Sequence, residues 1–261
     1  MLLRESFREK RRIVVKVGTS TVTHPGGLLH LGRIESLVRQ LADLHAEGRD
    51  VVLVTSGAVG AGLGRLGLTM RPAGLAAKQA LAAVGQGLLM QRYEAFFGEY
   101  GCVVGQMLLT RQDLEDEKRR ASAQATMQQL FTWRVIPVVN ENDTVANEEI
   151  RVGDNDTLSA RVAVLAGADL LILLSDVDGF YPADPRSNPE LRPLERVSLQ
   201  SELIAGAGGP GTPGGTGGMV TKVKAAQICA AAGIPTVLAG GARPRVIREI
   251  MEGEPVGTLF L

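Results

Sequence analysis

The feature that constrains this chain most is a short apolar run that keeps returning. Stretches rich in Val, Ile and Leu stand at Ile13–Val17, Val51–Thr55, Val103–Leu109, Val135–Val139, Leu170–Leu174, Thr236–Ala239 and Thr258–Leu261. Runs of this length without polar alternation are the pattern of strands buried on both faces, as in a parallel sheet covered by helices. Helical stretches lie between them. Ile34, Leu37, Val38, Leu41 and Leu44 form an apolar stripe at helical spacing, and Ala73–Phe97, Asn155–Leu165 and Val220–Ala232 are long enough for several turns. The alternation predicts an α/β protein, a three-layer αβα sandwich with a mainly parallel central sheet. A (β/α)8 barrel wants eight regular units, and the stretch from Tyr181 to Gly218 breaks that rhythm.

Composition removes several functions. Lys and Arg number 28 and so do Asp and Glu, so bulk charge draws the chain neither to nucleic acid nor to an anionic membrane. Cys102 and Cys229 form no CxxC, and His24, His30 and His45 form no HExxH, which excludes a disulfide framework and the common zinc patterns. Lys78, Gln79 and Gln86 interrupt the best candidate for a membrane span. Near the start, Glu5 and Glu9 are mixed among the basic residues and Lys16 cuts the apolar run, unlike a signal peptide. The expectation is a soluble, cytoplasmic protein of 261 residues in a single domain, with no nucleic-acid or membrane partner.

Ligands of open α/β sheets collect at the carboxyl ends of the strands. The residues just after four proposed strands are Lys16-Val17-Gly18-Thr19-Ser20, Thr55-Ser56-Gly57-Ala58-Val59-Gly60, Asn140-Glu141-Asn142-Asp143 and Ser175-Asp176-Val177-Asp178-Gly179. Any one of these is an ordinary turn or cap; four in register point to a site. Glycine is also concentrated, with Gly57, Gly60, Gly62, Gly64 and Gly67 in one cluster and eight glycines among the fourteen residues Ala205–Gly218 in another. Familiar motifs fail. Gly62–Gly67 fits GxGxxG in letters, yet it starts well past the strand end and no Asp or Glu occurs from Val51 to Tyr93. No Gly-Lys dipeptide exists for a Walker A loop, and Val54 replaces the first glycine of a GxSxG elbow.

What remains suits phosphoryl transfer without a P-loop, a reaction that asks for positioning and for positive charge or N–H dipoles around an anionic transition state. Lys16 and Lys222 supply two cations, and Gly57–Gly60 and Gly217–Gly218 supply backbone N–H groups. Asp154 and Asp156 either bind Mg2+ through its waters or orient the lysines. Lys16 is the sharpest of these signals, because an unpaired ammonium in a buried strand is costly.

With these residues in view the chain resembles the amino-acid kinase family, in the branch that phosphorylates glutamate. The resemblance rests on Val14–Ser20, Val54–Val59, Val104–Arg111, Pro137–Asp143, Val152–Asp156, Asp176–Gly179, Ala183–Arg186 and Gly215–Met219, and spans essentially the whole chain. It implies the amino-acid kinase fold, with a glutamate-binding lobe over about 1–165 and a nucleotide-binding lobe over about 166–261. It implies ATP- and Mg2+-dependent phosphorylation of the L-glutamate side chain to L-glutamyl 5-phosphate, the first step towards proline. Lys16, Lys222 and Asp156 would be catalytic, and Ser56, Gly57, Asn140, Asp143 and Asn155 would hold glutamate. Lys16, Ser175, Asp176, Thr216, Gly217, Gly218, Met219, Val220, Thr221 and Lys222 would bind the nucleotide. Val220 departs from the family, which commonly has Ser there. Further implied are feedback inhibition by proline, a homodimer or homotetramer, and a kinase-only form without the C-terminal PUA domain of many relatives.

The residues give substrate choice a physical handle. Free glutamate carries an ammonium that Asp143 can pair with, whereas acetylglutamate would leave that carboxylate uncompensated. Rival readings are a kinase for another small anion, such as acetylglutamate, aspartate or a nucleoside monophosphate, and a non-catalytic amino-acid or nucleotide sensor.

Overall fold

Ile13, Val14, Val15 and Val17 are all fully buried, because the strand that holds them has helices on both sides. The computed structural model describes residues 2–146, 152, 154–183, 187–188, 190–206 and 218–261. Eight strands form one sheet: β1 (Arg12–Val17), β2 (Asp50–Val54), β3 (Val103–Leu109), β4 (Val135–Glu141), β5 (Leu170–Ser175), β6 (Arg196–Val197), β7 (Thr236–Gly240) and β8 (Thr258–Phe260). Their order is β3-β4-β2-β1-β5-β7-β8-β6, parallel throughout except for the antiparallel β7–β8 pair. The expected mainly parallel sheet is therefore the observed one.

Alternate residues of each strand enter different cores. Ile13, Val15, Val51 and Leu53 pack with α1 (Leu31–Ala46) and α3 (Leu75–Glu99), through residues such as Leu37, Leu41, Leu89 and Phe97. Val14, Val52 and Val54 pack on the opposite face with α4 (Glu117–Thr132), α5 (Asn155–Ala166) and α6 (Met219–Ala231), through Met127, Leu158, Val162 and Ala225. These are the three layers of the sandwich. Lys16 projects on the same side as Val14 and lies level with Val54 of β2 and Leu173 of β5. Its ammonium is thereby directed towards the layer that holds α5 and α6.

The glycine cluster after β2, expected to supply backbone N–H groups from Gly57–Gly60, is largely helical. Its middle forms α2 (Ala58–Arg65), capped by Gly57 in the left-handed conformation at φ 98°, and Gly67 just past its end is left-handed too, at φ 67°. A Cβ on Gly62 would lie 2.0 Å from the Leu81 carbonyl oxygen, and one on Gly85 would lie 1.8 Å from that of Ala58. Gly64 instead faces the backbone of Gly27, where a Cβ would lie 2.5 Å from the carbonyl carbon. Gly62 and Gly85 let α2 lie against α3 backbone to backbone. The charged run Asp113–Arg120, expected as a solvated face, belongs to the short helix Arg111–Glu115 and the exposed first turn of α4.

The N-terminal turn closes the far edge. Arg4 is buried and its guanidinium donates to the carbonyls of Glu195, Glu254, Val256 and Gly257, around β6 and the entry to β8. No described helix is long and apolar enough to cross a membrane.

Close backbone packing is testable by adding single methyl groups. Gly62→Ala and Gly85→Ala each lower Tm by about 5 °C, since overpacking costs about 1–3 kcal/mol. Gly87→Ala, on an open face of the same α3 with nothing within 4 Å, leaves Tm unchanged or raises it by about 2 °C. Thermal unfolding followed by circular dichroism reads all three.

Candidate active site

The parallel order brings the carboxyl ends of β1, β2, β4 and β5 to one edge of the sheet, and α2 and α5 begin beside them. Gly18 N–H donates to the Leu174 carbonyl, and Gly241 N–H donates to that of Ser175. The chain segments leaving β1, β5 and β7 are thus tied together at the site.

The centre is a buried charge cluster. Lys16 Nζ is 2.5 Å from Asp156 Oδ1 and Lys222 Nζ is 3.1 Å from Asp156 Oδ2. Lys16 is 7% exposed, Lys222 5% and Asp156 1%. Thr221 Oγ1 also donates to Asp156 Oδ2, at 2.7 Å. Burial pushes the Asp156 carboxyl up, but the Lys16 and Lys222 ammonium groups and the two hydrogen bonds outweigh it and hold the group below the ordinary carboxylate range. Two cations facing one carboxylate in a dry setting are an arrangement that attracts phosphate oxygens.

Local sequence explains how Asp156 is held. Asp154 is the N-cap of α5, its Oδ1 accepting from Thr157 N–H (2.7 Å) and its Oδ2 from Thr157 Oγ1 (2.9 Å). Asp156 therefore sits in the first turn, where the helix dipole favours a negative charge. Both Asp154 oxygens are engaged by Thr157, so the structure gives Asp154 a capping contact and no contact to either lysine. Among the described residues no group of three His, Cys, Asp or Glu could hold a metal ion.

Beside the charges lies an amide cluster. Asn155 Nδ2 donates to the Thr55 carbonyl (2.6 Å), to Ser56 Oγ (2.9 Å) and to Asn140 Oδ1 (2.9 Å). Ser56 ends the β2 segment, Gly57 caps α2, and Asn140 lies on β4, so three elements meet at one side chain. Thr55 is fixed from behind by the buried Tyr93, with 2.7 Å between the hydroxyls. Glu141 Oε1 accepts from Val152 N–H at 2.5 Å, which pins the chain ahead of α5. Asp143 is half-buried in the turn after β4, and among the described residues makes no hydrogen bond to Ser56, Asn140 or Asn155.

On the other side, Ser175 Oγ donates to Asp176 Oδ1 at 2.9 Å at the end of β5. Gly218 caps α6, followed by Met219, half-buried, and Val220, 48% exposed. Thr216 and Gly217 lie outside the described residues. Sequence reasoning thus names Lys16, Lys222, Asp156 and Thr221, which meet, and Ser56, Asn140 and Asn155, which also meet. It misses Gln86, whose Oε1 accepts from Asn140 Nδ2 at 2.8 Å. Its signal was a polar residue interrupting the Ala-rich run of α3.

A buried Lys–Asp–Lys cluster at the strand ends of a parallel sheet defines a class before it defines a substrate. The chain belongs to the amino acid kinase family, which residues 11–240 match. Solved structures agree at the level of fold: the UMP kinase of Ureaplasma parvum superposes with a TM-score of 0.67 at 14% identity, covering 96% of this chain and 98% of that one. An isopentenyl phosphate kinase gives a TM-score of 0.68 at 17% identity, covering 96% and 100%. Within the family the chain stands among the glutamate 5-kinases. It is 70% identical over 258 residues to the glutamate 5-kinase of Symbiobacterium thermophilum, covering 99% of this chain and 98% of that relative. It is 52% identical to that of Clostridium tetani, covering 98% and 97%.

Asp156→Asn leaves two buried ammonium groups without their counter-ion, and is expected to cost about 3 kcal/mol of stability at neutral pH. A carboxyl held below its unfolded value stabilises the fold above that value and loses the contribution as pH falls through the lowered, folded-state value. The stability gap between wild type and Asp156→Asn is therefore flat from about pH 6 to 8 and shrinks only below about pH 4. Denaturant unfolding across pH checks both statements.

Proposed function

We propose that this chain transfers the terminal phosphoryl group of ATP to the side-chain carboxylate of L-glutamate, giving L-glutamyl 5-phosphate, the first step of proline biosynthesis. The observation that carries the reading is the adjacency of Asn155 and Asp156. One belongs to the amide cluster and the other to the charge cluster, on consecutive residues of one helix. An acceptor held by the first has its reacting oxygen beside the second.

The chemistry follows from charge. The glutamate carboxylate is ionised at neutral pH, with a reference pKa of about 4.3, so no general base is required. The carboxylate oxygen attacks the terminal phosphorus, and the bond to the bridging oxygen breaks, its electron pair leaving with ADP. The obstacle is the approach of two anions, which Lys16 and Lys222 offset from opposite sides of Asp156. Asp156 keeps both ammonium groups in place and does not itself exchange a proton. Mg2+ would enter with ATP as part of that substrate and offset phosphate charge, and Asp154 and Asp156, whose oxygens already accept hydrogen bonds, would reach it through water.

Glutamate is assigned to Ser56, Gly57, Asn140, Asp143 and Asn155, with Asp143 facing the α-ammonium. ATP is assigned to Ser175, Asp176 and the stretch Thr216–Lys222, where Val220 offers no hydroxyl. In this reading residues 1–165 form the acceptor lobe and 166–261 the nucleotide lobe. Proline as feedback inhibitor, assembly as a homodimer or homotetramer, and a cytoplasmic location complete the proposal on family resemblance.

Purified protein incubated with Mg-ATP and L-glutamate is expected to release ADP and to yield a hydroxamate when hydroxylamine traps the acyl phosphate. Acetylglutamate, aspartate and UMP run in parallel are expected to give little. Turnover confined to one of those acceptors would overturn the glutamate assignment. Lys222→Ala is expected to lower kcat by about 100-fold or more while glutamate still binds. Asp143→Asn is expected to raise the glutamate KM by about ten-fold or more, and an unchanged KM would remove Asp143 as the ammonium partner.

A further inference from the structure

One member of the amide cluster has no part in the scheme above. Gln86 sits in α3, its Oε1 accepting from Asn140 Nδ2 at 2.8 Å, while its own Nε2 is buried and without a partner. A buried unmade donor is costly, and Met or Leu at this helix position would avoid it. The residue's use must therefore lie in the oxygen that is bonded.

The cluster has a fixed polarity. Glu141 N–H donates to Asn140 Oδ1 at 2.9 Å, and the Thr55 carbonyl accepts from Asn155 Nδ2 at 2.6 Å. A backbone N–H only donates and a carbonyl only accepts, so neither amide can be reversed. With Oδ1 facing Glu141 and Asn155, the Asn140 Nδ2 points to Gln86, its one acceptor among the described residues. Asn140 Oδ1 is in turn one of the three acceptors that hold Asn155 Nδ2. Asn155 Oδ1, with no partner among the described residues, is the atom left for a ligand. It is an acceptor, suited to the ammonium of an amino acid.

We propose that Gln86 is a positioning residue of the acceptor pocket: it fixes Asn140, and through Asn140 the Asn155 amide that meets the amino-acid substrate. The inference rests on the glutamate reading above. It assigns Gln86 to the acceptor side alone, because among the described residues the hydrogen bonds linking it to the charge cluster pass through Asn155.

The test is a double-mutant cycle in steady-state kinetics. Gln86→Met is expected to raise the glutamate KM about ten-fold, the scale of one lost buried hydrogen bond. The ATP KM stays within about two-fold, and Tm is held because one unmade donor replaces another. The decisive comparison is with Asn140→Ala: the double variant is expected to match Asn140→Ala alone, since Gln86 acts only through Asn140. Effects on the glutamate KM that multiply, or a Gln86→Met variant with the wild-type KM, would overturn the proposal. If Gln86→Met does not fold, Gln86→Leu takes its place in the same cycle. Wild-type turnover of glutamate, measured alongside by hydroxamate formation, separates the two failures. A wild type that uses another acceptor overturns the functional reading, and the cycle is then read in that acceptor's KM.

Discussion

The Asp156 carboxylate between two buried ammonium groups is the interaction on which the rest depends. Three charges out of water are tolerable only when each meets a partner at hydrogen-bond distance, and here the partners come from β1, α5 and α6. A central strand, a helix that begins beside it and a helix more than sixty residues further on must all arrive before all three are compensated. The Asp154–Thr157 cap sets where α5 starts, and the parallel register sets where β1 ends. The fold's regularity thus serves a point of high electrostatic cost, and a misplacement of any one element would leave a naked charge in the core.

The same arrangement divides labour between neighbouring residues. Asn155 and Asp156 share one backbone, so the distance between the amide cluster and the charge cluster is set by a single peptide unit of a helix N-terminus. Few devices hold two reactants' sites in a fixed relation so directly. The neighbouring Thr55–Tyr93 and Glu141–Val152 contacts stiffen the strands and loop on either side. Positioning is the larger part of phosphoryl transfer, and here it is built into the covalent chain.

Much of this was legible in the sequence, for physical reasons. Strands buried on both faces must be continuously apolar, so their limits fell within a residue or two of those observed, and Lys16 stood out as the one charged residue inside those apolar runs. Other features depend on partners distant in sequence. The α2 helix is hidden by its own glycines, which make sense only once Leu81 and Gly85 of α3 lie against them. The β6 strand has two residues and exists because β8 pairs with it. Gln86 looks like any helix glutamine until Asn140, 54 residues away, turns its Nδ2 towards it. The capping of α5 by Asp154 needed Thr157 to be read as its partner rather than as a helix residue like any other.

The buried Arg4 carries a consequence for the order in which the molecule is made. Its four acceptors are carbonyls of Glu195, Glu254, Val256 and Gly257, so this side chain finds its partners only 191 to 253 residues further along the chain. The sheet itself can grow outward from β1 as β2 and then β5 emerge, but the edge formed by β8 and β6 cannot be sealed until Thr258–Phe260 have been made. Sealing of this edge therefore follows the rest of the sheet, and a nascent chain halted before residue 254 holds an arginine poised over an open seam.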